Sequence, residues 1–84
     1  MAVRVSRTMV EQETVLQIDG QLRSADTEEL AKECASVEGR LTLELSNLVS
    51  ADSKGVELLL ELVSLGAEVR NASPYVRLLM KAGV

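Results

Sequence analysis

Four consecutive residues, Asp52-Ser53-Lys54-Gly55, bring a carboxylate, a hydroxyl and an amine to one point of the chain. They join an alternating strand pattern to a leucine-rich helix pattern, and such joints are common ligand sites in parallel α/β sheets. A helix start offers free N–H groups and the positive end of the helix dipole, which favour an anion such as phosphate. The tetrad is therefore the first candidate for a functional site.

Catalysis at this tetrad has little support in the sequence. The 84-residue chain has no histidine, the commonest general base and a common metal ligand. Lys54 follows Ser53 directly, and neighbouring helix residues point about 100° apart, which disfavours a Ser-Lys dyad. Glu57 and Glu61 are spaced i, i+4 on the polar side of a helix, an arrangement more typical of a solvated face than of acid/base chemistry. We predict no enzyme activity, no cofactor and no metal site.

Composition excludes other classes of function. A net charge of −4 and a single aromatic residue argue against nucleic-acid binding, which needs basic surface and stacking rings. The one cysteine, Cys34, cannot form an internal disulfide, and its place on an apolar stripe predicts burial. No run has the length of a signal peptide or a membrane span. These features predict a soluble, cytoplasmic domain.

The first half of the chain contains strand patterns and one helix pattern. Alternation predicts an edge strand over residues 2–10 and a second strand over 14–19, which Gly20 ends. A helix follows, with Asp26 as its cap, Glu29 completing a capping box and Gly39 as its stop. Its apolar stripe comprises Leu30, Cys34 and Val37, with Ala31 beside them.

A third strand follows over residues 40–49. Its leucines at 41, 43 and 45 are predicted to point inward, and Thr42, Glu44 and Ser46 outward. A short strand is predicted around Val69. The last helix has complete end signals: Ser73 as cap, Pro74 at the first helical position and Gly83 after the end.

The helix that follows the tetrad is predicted to end at Gly66. A helical wheel places its core side at Val56, Leu59, Leu60 and Val63. A second line of residues lies at the boundary between core and water and is called the α2 strip here: Lys54, Leu58, Glu61 and Leu65. The two leucines of this strip are either partly buried helix edges or part of a contact surface.

The resulting element order is β-β-α-β-α-β-α. Strands that alternate with helices predict an α/β fold with a four-stranded, mostly parallel mixed sheet. The chain has room for one domain, over residues 1–84.

In this arrangement the sequence resembles the STAS domain, the family named after sulfate transporters and anti-sigma factor antagonists. The resemblance rests on the "DSKG" turn between a strand and a leucine-rich helix, and on the downstream "SPYVRLL". It extends over residues 14–84 as a pattern and is specific over 41–83, with the length of a short form of the domain. It implies a STAS-like sheet and a bacterial signalling role.

The family's antagonist proteins are phosphorylated by a partner kinase at the position between Ser53 and Gly55. Lys54 occupies that position and has no hydroxyl, and whether Ser53 substitutes for it is left open. The resemblance implies a non-catalytic module that binds a protein partner, such as an anti-sigma factor or kinase. The predicted binding residues are Asp52, Ser53, Lys54, Gly55, Leu58, Glu61 and Leu65. The alternative is an accessory subunit of an ABC-type phospholipid transporter.

Overall fold

The computed structural model describes residues 3–82, which form a mixed sheet of five strands and three helices. In chain order the elements are β1 Arg4–Val10, β2 Glu13–Leu22, α1 Ser24–Ala35, β3 Arg40–Glu44, β4 Leu48–Ala51, α2 Ser53–Ser64, β5 Glu68–Arg70 and α3 Pro74–Ala82. The α/β class is confirmed. The strand count is one higher than predicted, because a turn in which Leu48 donates its N–H to the Leu45 carbonyl divides the third strand in two.

The sheet is antiparallel at one edge and parallel elsewhere. β1 pairs with β2 antiparallel, whereas β2 with β3 and β3 with β5 are parallel. β2 also pairs with β4, beyond Gly20. Gly20 was predicted to end β2, but its positive φ of 88° instead accommodates a register shift before Gln21. The strand therefore continues to the end of the sheet where α2 begins.

One face of the sheet forms the core with the helices. Leu16, Ile18 and Leu43 are fully buried, as the alternation predicted. Thr42 belongs to the face that was predicted to point outward and to be at least partly wet, yet it is only 1% exposed. Its hydroxyl donates a 2.7 Å hydrogen bond to the Glu13 carboxylate, which satisfies the buried polar group.

α1 differs from the prediction at both ends. It begins at Ser24, so Asp26 is not the cap but lies within the first turn, where it accepts the Arg23 backbone N–H at 3.1 Å. The helix ends at Ala35, well before Gly39, which adopts a positive φ in the loop beyond. The predicted stripe is buried at Leu30 and Cys34.

The buried side of α2 is rotated relative to the predicted one. Leu59 is fully buried as expected, but Leu58 and Leu62 are also buried, while Val63 is 39% exposed. α1 packs alongside α2 and covers Leu58 and Leu62. A wheel of an isolated helix cannot show this, because the direction of the neighbouring helix is not in the local pattern.

The C-terminal elements follow their sequence signals. β5 includes Val69, and the Ser73 hydroxyl accepts the Val76 N–H at 3.1 Å at the start of α3. Gly83, the predicted stop, lies outside the described residues. None of the helices within residues 3–82 has the length and apolar character needed to cross a membrane.

Candidate functional site at the start of α2

Asp52 caps α2 with both its side chain and its main chain. Its Oδ1 accepts the Gly55 N–H at 2.9 Å, and its carbonyl oxygen accepts the Val56 N–H at 2.9 Å. These bonds satisfy donors of the first turn that have no partner within the helix. The sequence identified the tetrad as a helix start, but it did not identify Asp52 as the cap.

The second carboxylate oxygen of Asp52 holds the start of α1. Asp52 Oδ2 accepts the Ser24 N–H at 2.8 Å, so the first turns of α1 and α2 share one carboxylate. The N–H groups of Gly55 and Ser24 lower the pKa of the Asp52 carboxyl, with smaller contributions from the Lys54 N–H and the Arg23 charge. Asp52 is therefore held ionised by structural donors, which makes it a poor general base.

This capping changes the expectation that the helix start would receive a phosphate. An anion at this position would meet the negative charge of Asp52, whose oxygens already accept the Gly55 and Ser24 N–H groups. The carboxylate thus supplies the negative charge that the two helix dipoles favour.

Gly55 is required by a close approach of two chain segments. A Cβ added at Gly55 would lie 2.7 Å from the Leu22 carbonyl oxygen and 3.0 Å from Leu22 Cγ. The same carbonyl accepts the Asp52 N–H at 3.0 Å. The first turn of α2 is therefore held directly against the end of β2, and residue 55 is buried.

Asp52, Ser53 and Lys54 are the exposed residues of the tetrad. The Asp52 carboxylate accepts backbone N–H groups of two helices, whereas the Lys54 side chain keeps 66% of its surface in solvent. Lys54 Nζ lies 3.8 Å from Glu57 Oε1, a surface pair that contributes little to stability. The site therefore presents a hydroxyl and a positive charge on the first turn of α2.

The residues of the α2 strip differ in their exposure to solvent. Leu65 is 79% exposed and Glu61 is exposed, but Leu58 is only 8% exposed. For Leu58 the contact-surface interpretation is therefore wrong, because this side chain packs between α1 and α2. Above it lies an open groove of ≈ 670 Å³ that includes Lys54 and Glu61 in its walls. The accessible candidate residues are thus Asp52, Ser53, Lys54, Glu61 and Leu65, whereas Gly55 and Leu58 are buried.

Other reactive groups lie away from this site. Cys34 is buried, and burial raises the pKa of its thiol to about 11, in line with a packing role. Glu44 accepts a 2.9 Å hydrogen bond from Asn71, which is the main cause of its lowered pKa. Within the described range 3–82, no three side chains of types that bind metals come together.

Three solved structures have the same fold, and two of them are titled as anti-sigma factor antagonists. One, titled as the anti-sigma factor antagonist SpoIIAA in its unphosphorylated form, has a TM-score of 0.74 at 22% identity and covers 94% of this chain and 79% of its own. An RsbS variant from Moorella thermoacetica with a serine-to-glutamate substitution has a TM-score of 0.71 at 22% identity. The match covers 95% of this chain and 77% of that chain. An antisigma-factor antagonist STAS domain from Rhodobacter sphaeroides has a TM-score of 0.62 at 23% identity. The match covers 86% of this chain and 92% of that chain.

Sequence comparison alone finds none of these relationships. No protein-family model and no curated protein matches the chain. At these identities the likeness is one of fold, and it shows that the chain has the STAS fold that the "DSKG" and "SPYVRLL" segments predicted.

Proposed function

We propose that this chain is a non-catalytic regulatory module of the STAS type, similar to an anti-sigma factor antagonist. It binds a partner protein through the exposed part of the tetrad and the neighbouring surface of α2. The partner resembles an anti-sigma factor or its kinase, and the interaction takes place in the cytoplasm.

The observation that carries this proposal is the exposed first turn of α2 in a STAS fold. Ser53 and Lys54 project from a turn that Asp52 and Gly55 hold rigidly against the sheet. A rigid exposed turn loses little conformational freedom on binding, which favours recognition by a protein. Two of the solved structures with this fold are described as anti-sigma factor antagonists.

A non-catalytic role is supported by the state of the groups nearest Ser53. Asp52 is engaged by backbone donors from two helices, and Lys54 lies beside an acidic residue on the surface. Within residues 3–82 the Ser53 hydroxyl forms no hydrogen bond with either group, and the sequence contains no histidine to act as its base.

Lys54 gives the proposal its specific form. At the position where the family carries a phosphorylated hydroxyl, this chain presents a fixed positive charge. The module would then lack the usual phosphorylation switch, and its binding would depend on an acidic group of the partner. Glu61 and the exposed Leu65 extend the same surface along α2.

A capture experiment with matched charge reversals tests the proposal. The tagged chain is incubated with extract of its native cell, and the bound proteins are identified by mass spectrometry. We expect one protein to be captured by the wild type, weakly by Lys54→Glu and normally by Lys32→Glu. Lys32 is the control because its side chain is 76% exposed on α1 and forms a comparable surface pair with Glu28.

The identity of the captured protein distinguishes the alternatives. A kinase or anti-sigma factor supports the proposal, whereas an ABC transporter subunit favours the accessory-subunit alternative. If Lys54→Glu captures the protein as well as the wild type does, the tetrad is not part of the binding surface.

A further inference from the structure

α1 and α2 lie side by side and form a groove along their exposed surface. The Asp52 carboxylate binds the first turns of both helices, so they extend from the same end of the sheet in the same direction. The groove consists of a cleft of ≈ 670 Å³ near the tetrad and a cleft of ≈ 470 Å³ near the C-terminal ends of the helices. Because both clefts have Ala31, Leu58 and Glu61 in their walls, we treat them as one feature, the α1–α2 groove.

The end of the groove away from the tetrad is mostly apolar. Ala35 of α1 and Leu65 of α2 are exposed on its two sides, and Leu62 lies beneath them at 8% exposure. Arg40 and Glu61 are the only charged residues among the described residues of this cleft. A concave apolar surface is stabilised when apolar side chains cover it. A partner is therefore expected to bring apolar side chains to this end.

The end of the groove near the tetrad carries a net negative charge. Its walls contain the carboxylates of Glu28, Glu57 and Glu61 against one amine, that of Lys54. Glu57 lies beside Lys54 and Glu28 beside Lys32, whereas Glu61 forms no ion pair within residues 3–82. Since Glu61 belongs to both clefts, it lies near the middle of the groove. A cation above this carboxylate would complement its charge.

The walls of the groove favour a helix over a strand as its occupant. Both walls are α-helices, whose backbone N–H and C=O groups are bonded within the helix, so they offer no edge to which an extended strand could add. A helix can instead pack its side chains between those of two neighbouring helices. Each wall has 12 residues and is therefore about 18 Å long, which a helix of about three turns matches.

We propose that the α1–α2 groove binds an amphipathic helix of the partner protein. The apolar side of this helix covers Ala35 and Leu65, and a lysine or arginine on it contacts Glu61. The inference rests on the proposed function, because the occupant belongs to the partner that contacts Lys54. Lys54 and Glu61 are about two helical turns apart, so the acidic group that meets Lys54 and the cation that meets Glu61 have the same separation in the partner.

Variants in the walls of the groove test this contact with the kinase or anti-sigma factor that the wild type captures from its cell extract. Ala35→Arg adds a long side chain to the groove from an exposed position, and Glu61→Lys reverses the charge at its middle. In isothermal titration calorimetry with the purified partner, each variant should bind about tenfold more weakly or worse.

The controls make the same kinds of change outside the groove. Ala82→Arg adds the same side chain at an exposed position of α3, and Lys32→Glu reverses a charge on the part of α1 that does not line the groove. Both should bind the partner like the wild type. Circular dichroism melts verify that every variant is folded.

A photo-crosslinker identifies the segment that occupies the groove. When p-benzoylphenylalanine replaces Leu65, it should crosslink to one partner segment with apolar residues three and four positions apart and a basic residue among them. A synthetic peptide of that segment should gain helical circular dichroism on binding the wild type. A peptide that binds without becoming helical overturns the inference.

The titrations separate this inference from the proposed function. If Lys54→Glu loses the partner while Ala35→Arg and Glu61→Lys bind it normally, the proposed function stands and the inference about the groove is overturned. If Ala35→Arg and Glu61→Lys lose the partner while Lys54→Glu binds it normally, the groove is supported and the tetrad is not part of the binding surface. If the wild type captures neither a kinase nor an anti-sigma factor, both are overturned.

Discussion

Ser24, the first residue of α1, donates its backbone N–H to Asp52 Oδ2 over 2.8 Å, although the two residues are 28 positions apart. The other oxygen of the same carboxylate caps α2 through Gly55. One ionised side chain therefore fixes the starts of two helices at the end of the sheet. The exposed Ser53 and Lys54 take their position from this junction.

The first prediction concerns acid stability. The folded chain holds the pKa of Asp52 below its ordinary value of 3.8, because the Gly55 and Ser24 N–H groups bind the charged form. A lowered folded-state pKa stabilises the fold at pH above the unfolded-state pKa. This stabilisation is lost as the pH falls through the folded-state pKa. In urea denaturation, Asp52→Asn should therefore lose less stability than the wild type as pH falls below 3.8.

Two further variants make this measurement specific. Asp52→Ala removes the acceptor as well as the charge and should be the less stable variant at neutral pH. Glu61→Gln is the matched control, because it makes a carboxylate-to-amide change at an exposed position of α2 that caps no helix. Some acid dependence remains in Asp52→Asn, since the pKa of Glu44 is lowered too. If the free energy of unfolding falls equally with pH in Asp52→Asn and in the wild type, the capping role is contradicted.

The second prediction concerns Gly55. Alanine in a helix is ordinarily more favourable than glycine by about 1 kcal/mol. Here a Cβ would lie 2.7 Å from the Leu22 carbonyl oxygen, a backbone atom that cannot move aside cheaply. We expect Gly55→Ala to destabilise despite its helix propensity, and Gly55→Val to destabilise by about 1–3 kcal/mol in chemical denaturation. A change below about 0.5 kcal/mol for valine would mean that the joint has room for a side chain.

Local signals predicted the parts of the fold that depend on adjacent residues. Ser73 followed by Pro74 specified the start of α3, and alternation specified the buried leucines of β2 and β3. Gly20 was misread because a glycine that ends a strand and one that permits a register shift look alike in sequence. Only the pairing of β2 with β4 separates the two cases.

The candidate site shows the same limit. The tetrad was recognised from its residues, but no spacing in the sequence connects Ser24 with Asp52. Likewise, Leu58 seemed to lie at the helix edge because the wheel contains no information about α1. Both features arise from packing between segments distant in sequence, which periodicity does not record.

The third prediction compares three leucines near the site. Leu58 and Leu59 are 8% and 0% exposed, so their replacement by alanine should each cost about 2–5 kcal/mol of folding free energy. Leu65 is 79% exposed, and Leu65→Ala should change the folding free energy by less than about 0.5 kcal/mol. Urea denaturation of the three variants measures this directly. A cost for Leu65→Ala similar to that for Leu58→Ala would show that Leu65 is covered in solution.

The fourth prediction concerns Cys34. Burial raises the pKa of its thiol to about 11 from 9.0, so little reactive thiolate forms near neutral pH. Alkylation by iodoacetamide should be slow in the native chain and fast in concentrated urea, as followed by intact mass. Because the folded-state pKa is raised, its contribution to stability is lost as pH rises from 9.0 toward about 11. Cys34→Ala should not show this loss of stability at high pH. Rapid alkylation of the native wild type would mean that the thiol is accessible.

The last prediction concerns the replaced switch, and it rests on the proposed function. Lys54 is exposed on the first turn of α2, so a serine introduced there would be accessible to a kinase. With ATP and a related anti-sigma factor kinase, we expect Lys54→Ser to gain one phosphate group by intact mass. The wild type and the matched variant Lys54→Ala, which has no hydroxyl at this position, should gain none. Phosphate on wild-type Ser53 would show that the switch has moved by one residue. If Lys54→Ser remains as unmodified as Lys54→Ala, then such a kinase does not recognise this turn, and the expected relationship to kinase-regulated antagonists fails at its central position.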